Sequence, residues 1–158
     1  MSNNVYFQLQ FVKGNRNVTG SVLQLAPSKS TGDLLITLAP QMGYENNLPK
    51  FDYNSKAIFN LSELEIAQVS DLYHSRQEGK VNFPHMNARD PKTIIFENSV
   101  YNGNLQFKLT VIRNGKAISF FFSKAESDVF MKNLEDSVSM YNKMNAMLVL
   151  REFQGEQN

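Results

Sequence analysis

Aromatic, amide and basic side chains interleave in four stretches of the chain. Residues 6–13, "YFQLQFVK", hold Tyr6, Gln8, Gln10 and Lys13, with Arg16 just beyond. Residues 50–56, "KFDYNSK", set Lys50, Phe51, Tyr53 and Lys56 close together. Lys80, Phe83 and His85 form a third group, and Tyr101, Lys108, Arg113 and Lys116 a fourth. These residue types suit an unpaired polynucleotide, because every base has a π-face and every linkage a phosphate. The amides of Gln8 and Gln10 suit hydrogen bonding to base edges without demanding one sequence. The competing reading places half of these aromatics in the core. For Phe51 and Phe83 the two readings weigh equally, while the strand phase of Tyr6 and Tyr101 turns them outward.

Catalytic chemistry has little to work with. His74 and His85 are the only imidazoles. His74 falls at a predicted helix end, where a cation complements the dipole. His85 follows Pro84 in a predicted loop, with no close carboxylate partner. Metal-ligand spacing, a P-loop and a GxGxxG turn are all missing, and Glu135-Asp136 reads as a solvated helix face. The expectation is a protein that is not an enzyme, with no catalytic residue, metal or cofactor. The chain has no Cys, so disulfide and thiolate chemistry are excluded. "MSNNVYFQLQF" lacks a secretory pattern, and no apolar run approaches the roughly 18–20 residues that span a bilayer. A cytoplasmic protein without membrane contact is expected, and the Asn17-Val18-Thr19 and Asn60-Leu61-Ser62 sequons are then chance matches.

The elements that must position these groups follow from periodicity. Residues 5–13 alternate, with Val5, Phe7, Leu9 and Phe11 on one face. Residues 17–26 form a second strand in which Gly20 is expected to mark a bulge. Residues 32–40 form a third, closed by Pro40. Gly43, Asn46, Asn47 and Pro49 predict a loop, and "KAIFNL" a fourth strand. Ser62-Glu63-Leu64-Glu65 is a capping box opening a helix over about 62–76, ended by Gly79. Residues 79–85 are a weak fifth strand. Residues 92–101, 104–113 and 116–122 are three more, separated by Asn102-Gly103 and Asn114-Gly115, the strongest short-range hairpin signal. Ser123-Lys124-Ala125-Glu126 is a second capping box, before a helix with Val129, Phe130, Leu134, Val138, Tyr141, Met144 and Leu148 on its apolar stripe.

"KAIFNLSELE" and "KAISFFFSKAE" thus occupy the same place in two successive ββββα units, about 5–76 and 80–150. The expected fold class is α+β, a single domain over 1–158 with internal pseudo-duplication, and 151–158 is expected to be a flexible C-terminal tail that offers a partner-binding segment. Net charge is +1, but it is segregated. Residues 1–60 carry five cations against three anions and 91–123 four against one, whereas 61–90 carry three against five and 124–158 four against six. The strand-bearing segments are basic and the helix-bearing ones acidic. That places an anionic ligand on the sheets and protein contacts on the helices.

The layout resembles the Whirly single-stranded DNA-binding family. "GDLLITLAPQMG", 32–43, is similar to that family's third strand and its Pro-x-x-Gly exit. "KFDYNSKAIFNLSELEIAQVSDL", 50–72, is similar to its aromatic–basic loop, fourth strand and first helix, and "NFPH" and "SFFFSKAESDVF" are similar to its fifth strand and the start of its last helix. The resemblance covers about residues 5–148 and implies two four-stranded antiparallel sheets packed crosswise, each followed by a helix. It also implies a homotetramer assembled through the last helix, with Tyr141, Met144, Met147 and Leu148 at the interface and single-stranded DNA along the sheets. The family's lysine-glycine-lysine motif is matched at Lys13-Gly14 but interrupted by Asn15 before Arg16, which argues against assembly beyond the tetramer. The absence of Trp and of an organellar transit peptide points to a bacterial or virus-encoded relative, working in replication, recombination or repair. RNA is the alternative ligand, since mitochondrial guide-RNA-binding proteins share this fold. The alternative from another class is a non-catalytic oligomeric assembly protein.

Overall fold

Alternation, turn chemistry and capping are realised in sequence order. The structure, a computed structural model, describes residues 9–28, 33–86 and 89–138. Its strands are β1 (Leu9–Lys13), β2 (Ser21–Pro27), β3 (Leu34–Glu45), β4 (Leu48–Phe51), β5 (Ala57–Phe59), β6 (Gly79–His85), β7 (Lys92–Tyr101), β8 (Asn104–Arg113) and β9 (Lys116–Phe121). Helix α1 spans Glu63–Ser75, and α2 begins at 124 and is described to 138. Both sheets are antiparallel. The second is a meander, β6-β7-β8-β9. In the first, β1, β2, β3 and β5 form the four expected strands, and β4 pairs with the far half of β3 as a fifth. This is the Whirly-like α+β architecture, with a helix after each sheet.

The β3–β4 hairpin corrects the loop expected around Gly43 to Pro49. Pro40 does not end β3. It sits where the strand exchanges β2 for β4 as partner, its carbonyl accepting from the Asp52 amide at 2.8 Å, so its missing N–H costs little. Asn46 and Asn47, at φ 52° and 61°, make the two-residue turn by the same positive-φ chemistry as Asn102-Gly103 and Asn114-Gly115. Gly20 lies before β2 rather than in a bulge. A Cβ there would fall 1.7 Å from the Lys13 carbonyl oxygen, so glycine is required by close backbone approach. The buried Gln41 holds this corner. Its Oε1 accepts from the Asn15 and Gly20 amides at 3.1 Å each, and its Nε2 donates to the Asn15 and Gly43 carbonyls at 2.8 and 2.9 Å.

Both capping boxes form. Ser62 Oγ accepts from Glu65 N at 3.2 Å while Glu65 Oε1 accepts from Ser62 N at 2.9 Å, and Ser123 and Glu126 repeat the pattern at 3.2 and 2.8 Å. Helix α1 ends where expected, near residue 76, with Arg76 rather than Gly79 as its C-cap, in the left-handed conformation at φ 55°; the guanidinium lies 5.1 Å from the Tyr73 ring centroid. One core joins the halves. Leu23, Ile36 and Leu38 from the first sheet meet Phe96, Leu109 and Phe120 from the second, with Ile66, Val69, Phe130 and Leu134 from the helices. Phe11 reaches across to Phe120 and Phe122, with ring centroids 6.3 and 6.4 Å apart.

Candidate nucleic-acid interface

Strand phase turns one face of each sheet into the core and leaves the other outward. On the second sheet, the registers align Lys80, Glu97, Lys108 and Phe121 in one cross-strand row, and Asn82, Ile95, Thr110 and Ser119 in the next. Helix α2 packs on the inner face, where Phe130 meets Phe96 and Phe122. The outer face therefore presents a platform of exposed and half-buried polar and apolar side chains. On it the Lys108 ammonium lies 5.1 Å from the ring centroid of Phe121, which is 46% exposed. The site reading from sequence missed Phe121, although alternation through Phe120, Phe121 and Phe122 carried the signal: the flanking two are buried and the middle one is not.

Apart from Lys108, the predicted site residues divide into four groups. Tyr6 and Gln8, together with Tyr141, Met144, Met147 and Leu148, lie outside the described residues. Gln10, Arg16, Tyr53, Lys56, Tyr101 and Lys116 are exposed. Gln10 pairs across strands with Gln24, which donates its Nε2–H to Gln10 Oε1 at 3.0 Å. Tyr101 stands at the β7–β8 turn, 69% exposed, and Tyr53 lies in a single 3₁₀ turn, Tyr53–Ser55. Phe51 is half-buried at the end of β4.

Several others are already occupied. Phe83 is buried in the core, as one of its two readings expected. His85 is in β6 rather than a loop, half-buried, with Nε2 2.9 Å from Glu65 Oε2, so it does have a carboxylate partner. Lys13 pairs with Glu126 at 2.7 Å and Lys50 with Glu45 at 2.5 Å. Arg113 donates from Nη1 to the Lys56 carbonyl and to Asp90, at 2.5 and 2.9 Å, and from Nη2 to the Ser55 carbonyl at 3.1 Å. It works as a brace between the halves. His74 likewise contacts Glu135, at 2.8 Å, joining α1 to α2.

The two box glutamates carry a second duty. Glu65, on the first half's helix, meets His85 on the first strand of the second half; Glu126, on the second half's helix, meets Lys13 on the first strand of the first half. Burial works to raise the Glu126 carboxyl, but Lys13 and the Ser123 cap outweigh it and hold the pKa below the usual glutamate range. Burial pushes the Tyr73 hydroxyl up, and the Asp128 carboxylate that accepts its hydrogen bond pushes it further.

The fold brings Tyr53, Lys56, Arg113 and Lys116 to one corner. Arg113 opposes Lys116 across the β8–β9 hairpin while bonding the carbonyls of Ser55 and Lys56. Among the described residues, no group of three or more His, Asp or Glu could hold a metal, and no helix is long and apolar enough to cross a membrane.

No protein-family model matches the sequence, and no curated protein matches it. Solved structures do match. WHY1 from Arabidopsis thaliana superposes with a TM-score of 0.66 at 18% identity, covering 100% of this chain and 97% of that one. The plant transcriptional regulator PBF-2 gives 0.60 at 18% identity, covering 91% and 97%. MRP1/MRP2 of Trypanosoma brucei give 0.59 at 18% identity, covering 90% of each chain. At this identity the likeness is one of fold, and it extends along nearly the whole chain.

Proposed function

We propose that this chain is a non-catalytic, sequence-tolerant protein that binds single-stranded nucleic acid, with DNA the preferred form. On this reading it coats or organises strands exposed in replication, recombination or repair, and it acts as a homotetramer. The observation that carries the reading is the outer face of the second sheet. There a cation rests on an exposed aromatic ring among half-buried hydrogen-bonding side chains, with Lys80 in the same row and Tyr101 at the adjoining turn. Such a surface offers a base a stacking partner and its phosphate a charge in one step. The Whirly-like fold supports it, since a regulator of transcription is among the structures sharing that fold.

The test is a gel-shift series with oligo-dT, the matching RNA and a duplex of equal length. Single strands bind, and the duplex binds far more weakly; equal affinity for duplex and single strand refutes the proposal. Preference for the RNA strand would instead favour a reader of the 2′-hydroxyl.

A further inference from the structure

A cleft of about 420 Å³ opens where the Tyr53–Ser55 turn meets the β8–β9 hairpin. That is within the range of about 300–1,000 Å³ typical of small-ligand sites. Pro40, Ala117 and Ile118 give it apolar wall. The first half contributes Asp52 and the second Lys116. Asp52 Oδ1 accepts from the Asn54 amide at 3.1 Å and Oδ2 from the Ser55 hydroxyl at 2.7 Å. A carboxylate has about four acceptor positions, and this one is met by the Asn54 amide and the Ser55 hydroxyl, with the Ser55 amide adding a weaker contact, so acceptor capacity remains for a ligand. The Ser55 hydroxyl does most to hold Asp52 below the usual carboxylate range, so the group is ionised at neutral pH. Lys116 has no ion-pair partner among the described residues, while the Arg113 guanidinium beside it is spent on Asp90 and two carbonyls.

We propose that this cleft seats one base of a bound strand and selects guanine. Asp52 accepts from the guanine N1–H and 2-amino group, and Lys116 takes the adjoining phosphate. The inference rests on the nucleic-acid reading above and adds a base preference to it. Guanine alone presents two adjacent donors on its Watson–Crick edge. Adenine and cytosine set one amino group beside a ring-nitrogen acceptor, and thymine sets its imino group between two carbonyls, so each turns a lone pair toward the carboxylate. Reading unstacked bases on this edge is the usual route to preference in single strands.

Fluorescence anisotropy on the full chain tests it, with oligo-dT, the same strand carrying one central dG, and the same strand carrying deoxyinosine there. Deoxyinosine keeps N1–H and lacks the 2-amino group. The dG strand binds about tenfold tighter than oligo-dT, the scale of one good two-point base contact, and deoxyinosine forfeits most of that gain. In Asp52→Asn the ratio of the two affinities falls to about one. Because Asp52 also shapes its own turn, the dG–deoxyinosine comparison on the unmodified protein stands independently of that variant. If oligo-dT binds and the dG strand binds no tighter, the guanine cleft is overturned and the platform stands. If no strand binds, the nucleic-acid reading falls and takes the cleft with it.

Discussion

Replacing Lys108 with Gln separates charges that face a ligand from charges the fold has already used. Lys13, Lys50 and Arg113 are paired with Glu126, Glu45 and Asp90, and Lys92 is buried beside Asp90 at 3.6 Å. Of the cations assigned to the candidate interface, Arg16, Lys56, Lys80, Lys108 and Lys116 face outward without an ion-pair partner among the described residues. A single strand releases about 0.7 counterion per phosphate neutralised, so five contacts per protomer set the slope of log affinity against log salt near −3.5. Lys108→Gln removes one contact. The slope becomes shallower by about 0.7, and affinity at about 0.1 M salt drops roughly fivefold. Phe121→Ala acts on the other half of the pair. It removes a stacking surface worth about 1–3 kcal/mol per base and leaves the slope unchanged. Anisotropy titrations with oligo-dT across a salt series read both quantities. The reasoning is refuted if Lys13→Gln and Lys50→Gln flatten the slope as much as Lys108→Gln, or if Phe121→Ala changes the slope and not the intercept.

Phe83→Ala costs about 3–5 kcal/mol in urea unfolding and leaves the affinity of the folded fraction unchanged, whereas Tyr101→Ala leaves stability within about 0.5 kcal/mol. Glu126→Gln keeps the cap and loses the charge, lowering stability at pH 7 by about 0.5–1 kcal/mol, since the pair is partly exposed. Because the folded Glu126 pKa is depressed, its stabilisation is full above the unfolded glutamate value of about 4.3 and is lost as pH falls through the folded value. The gap between Glu126→Gln and the parent protein therefore closes in acid denaturation curves, and one that persists near pH 2 contradicts this assignment. Gly20→Ala forces its Cβ against the Lys13 carbonyl and destabilises by at least about 1–3 kcal/mol, seen as a lower Tm. Asn47→Gly relieves a positive φ and raises stability by about 0.5 kcal/mol in the same assay.

The fold was legible where local chemistry and tertiary structure agree. Two Asn-Gly turns and two Ser-x-x-Glu boxes delimit most of the second half and both helix starts, because each satisfies its own backbone groups within four residues. The β3–β4 hairpin was hidden because Pro40, Gly43 and Pro49 are all strand breakers on average. They are tolerated here by a change of partner strand, a register shift between Gln41 and Gly43, and packing of Pro49 over Gly14. The site was less legible than the fold. The outward aromatics could be placed by phase alone, as Tyr101 shows. Whether a cation is available depends on what lies across the fold, and Glu126 beside Lys13 or Asp90 beside Arg113 left no local trace. Phe83 was ambiguous because Val81 is its only apolar companion on the inward side of a short strand that also holds Pro84, so the alternation is real but brief.

The reciprocal contacts of Glu65 and Glu126 tie the first half of the chain to the second. Each unit finishes the start of its helix with a glutamate whose remaining contact belongs to the opening strand of its counterpart. Severing the chain between α1 and β6 would leave both fragments with an unanchored carboxylate and an open core. Mixed together, they would have a built-in address for each other. The linkage is that of a dimer written into one chain, and the molecule should behave as a split protein whose pieces recover structure only as a pair.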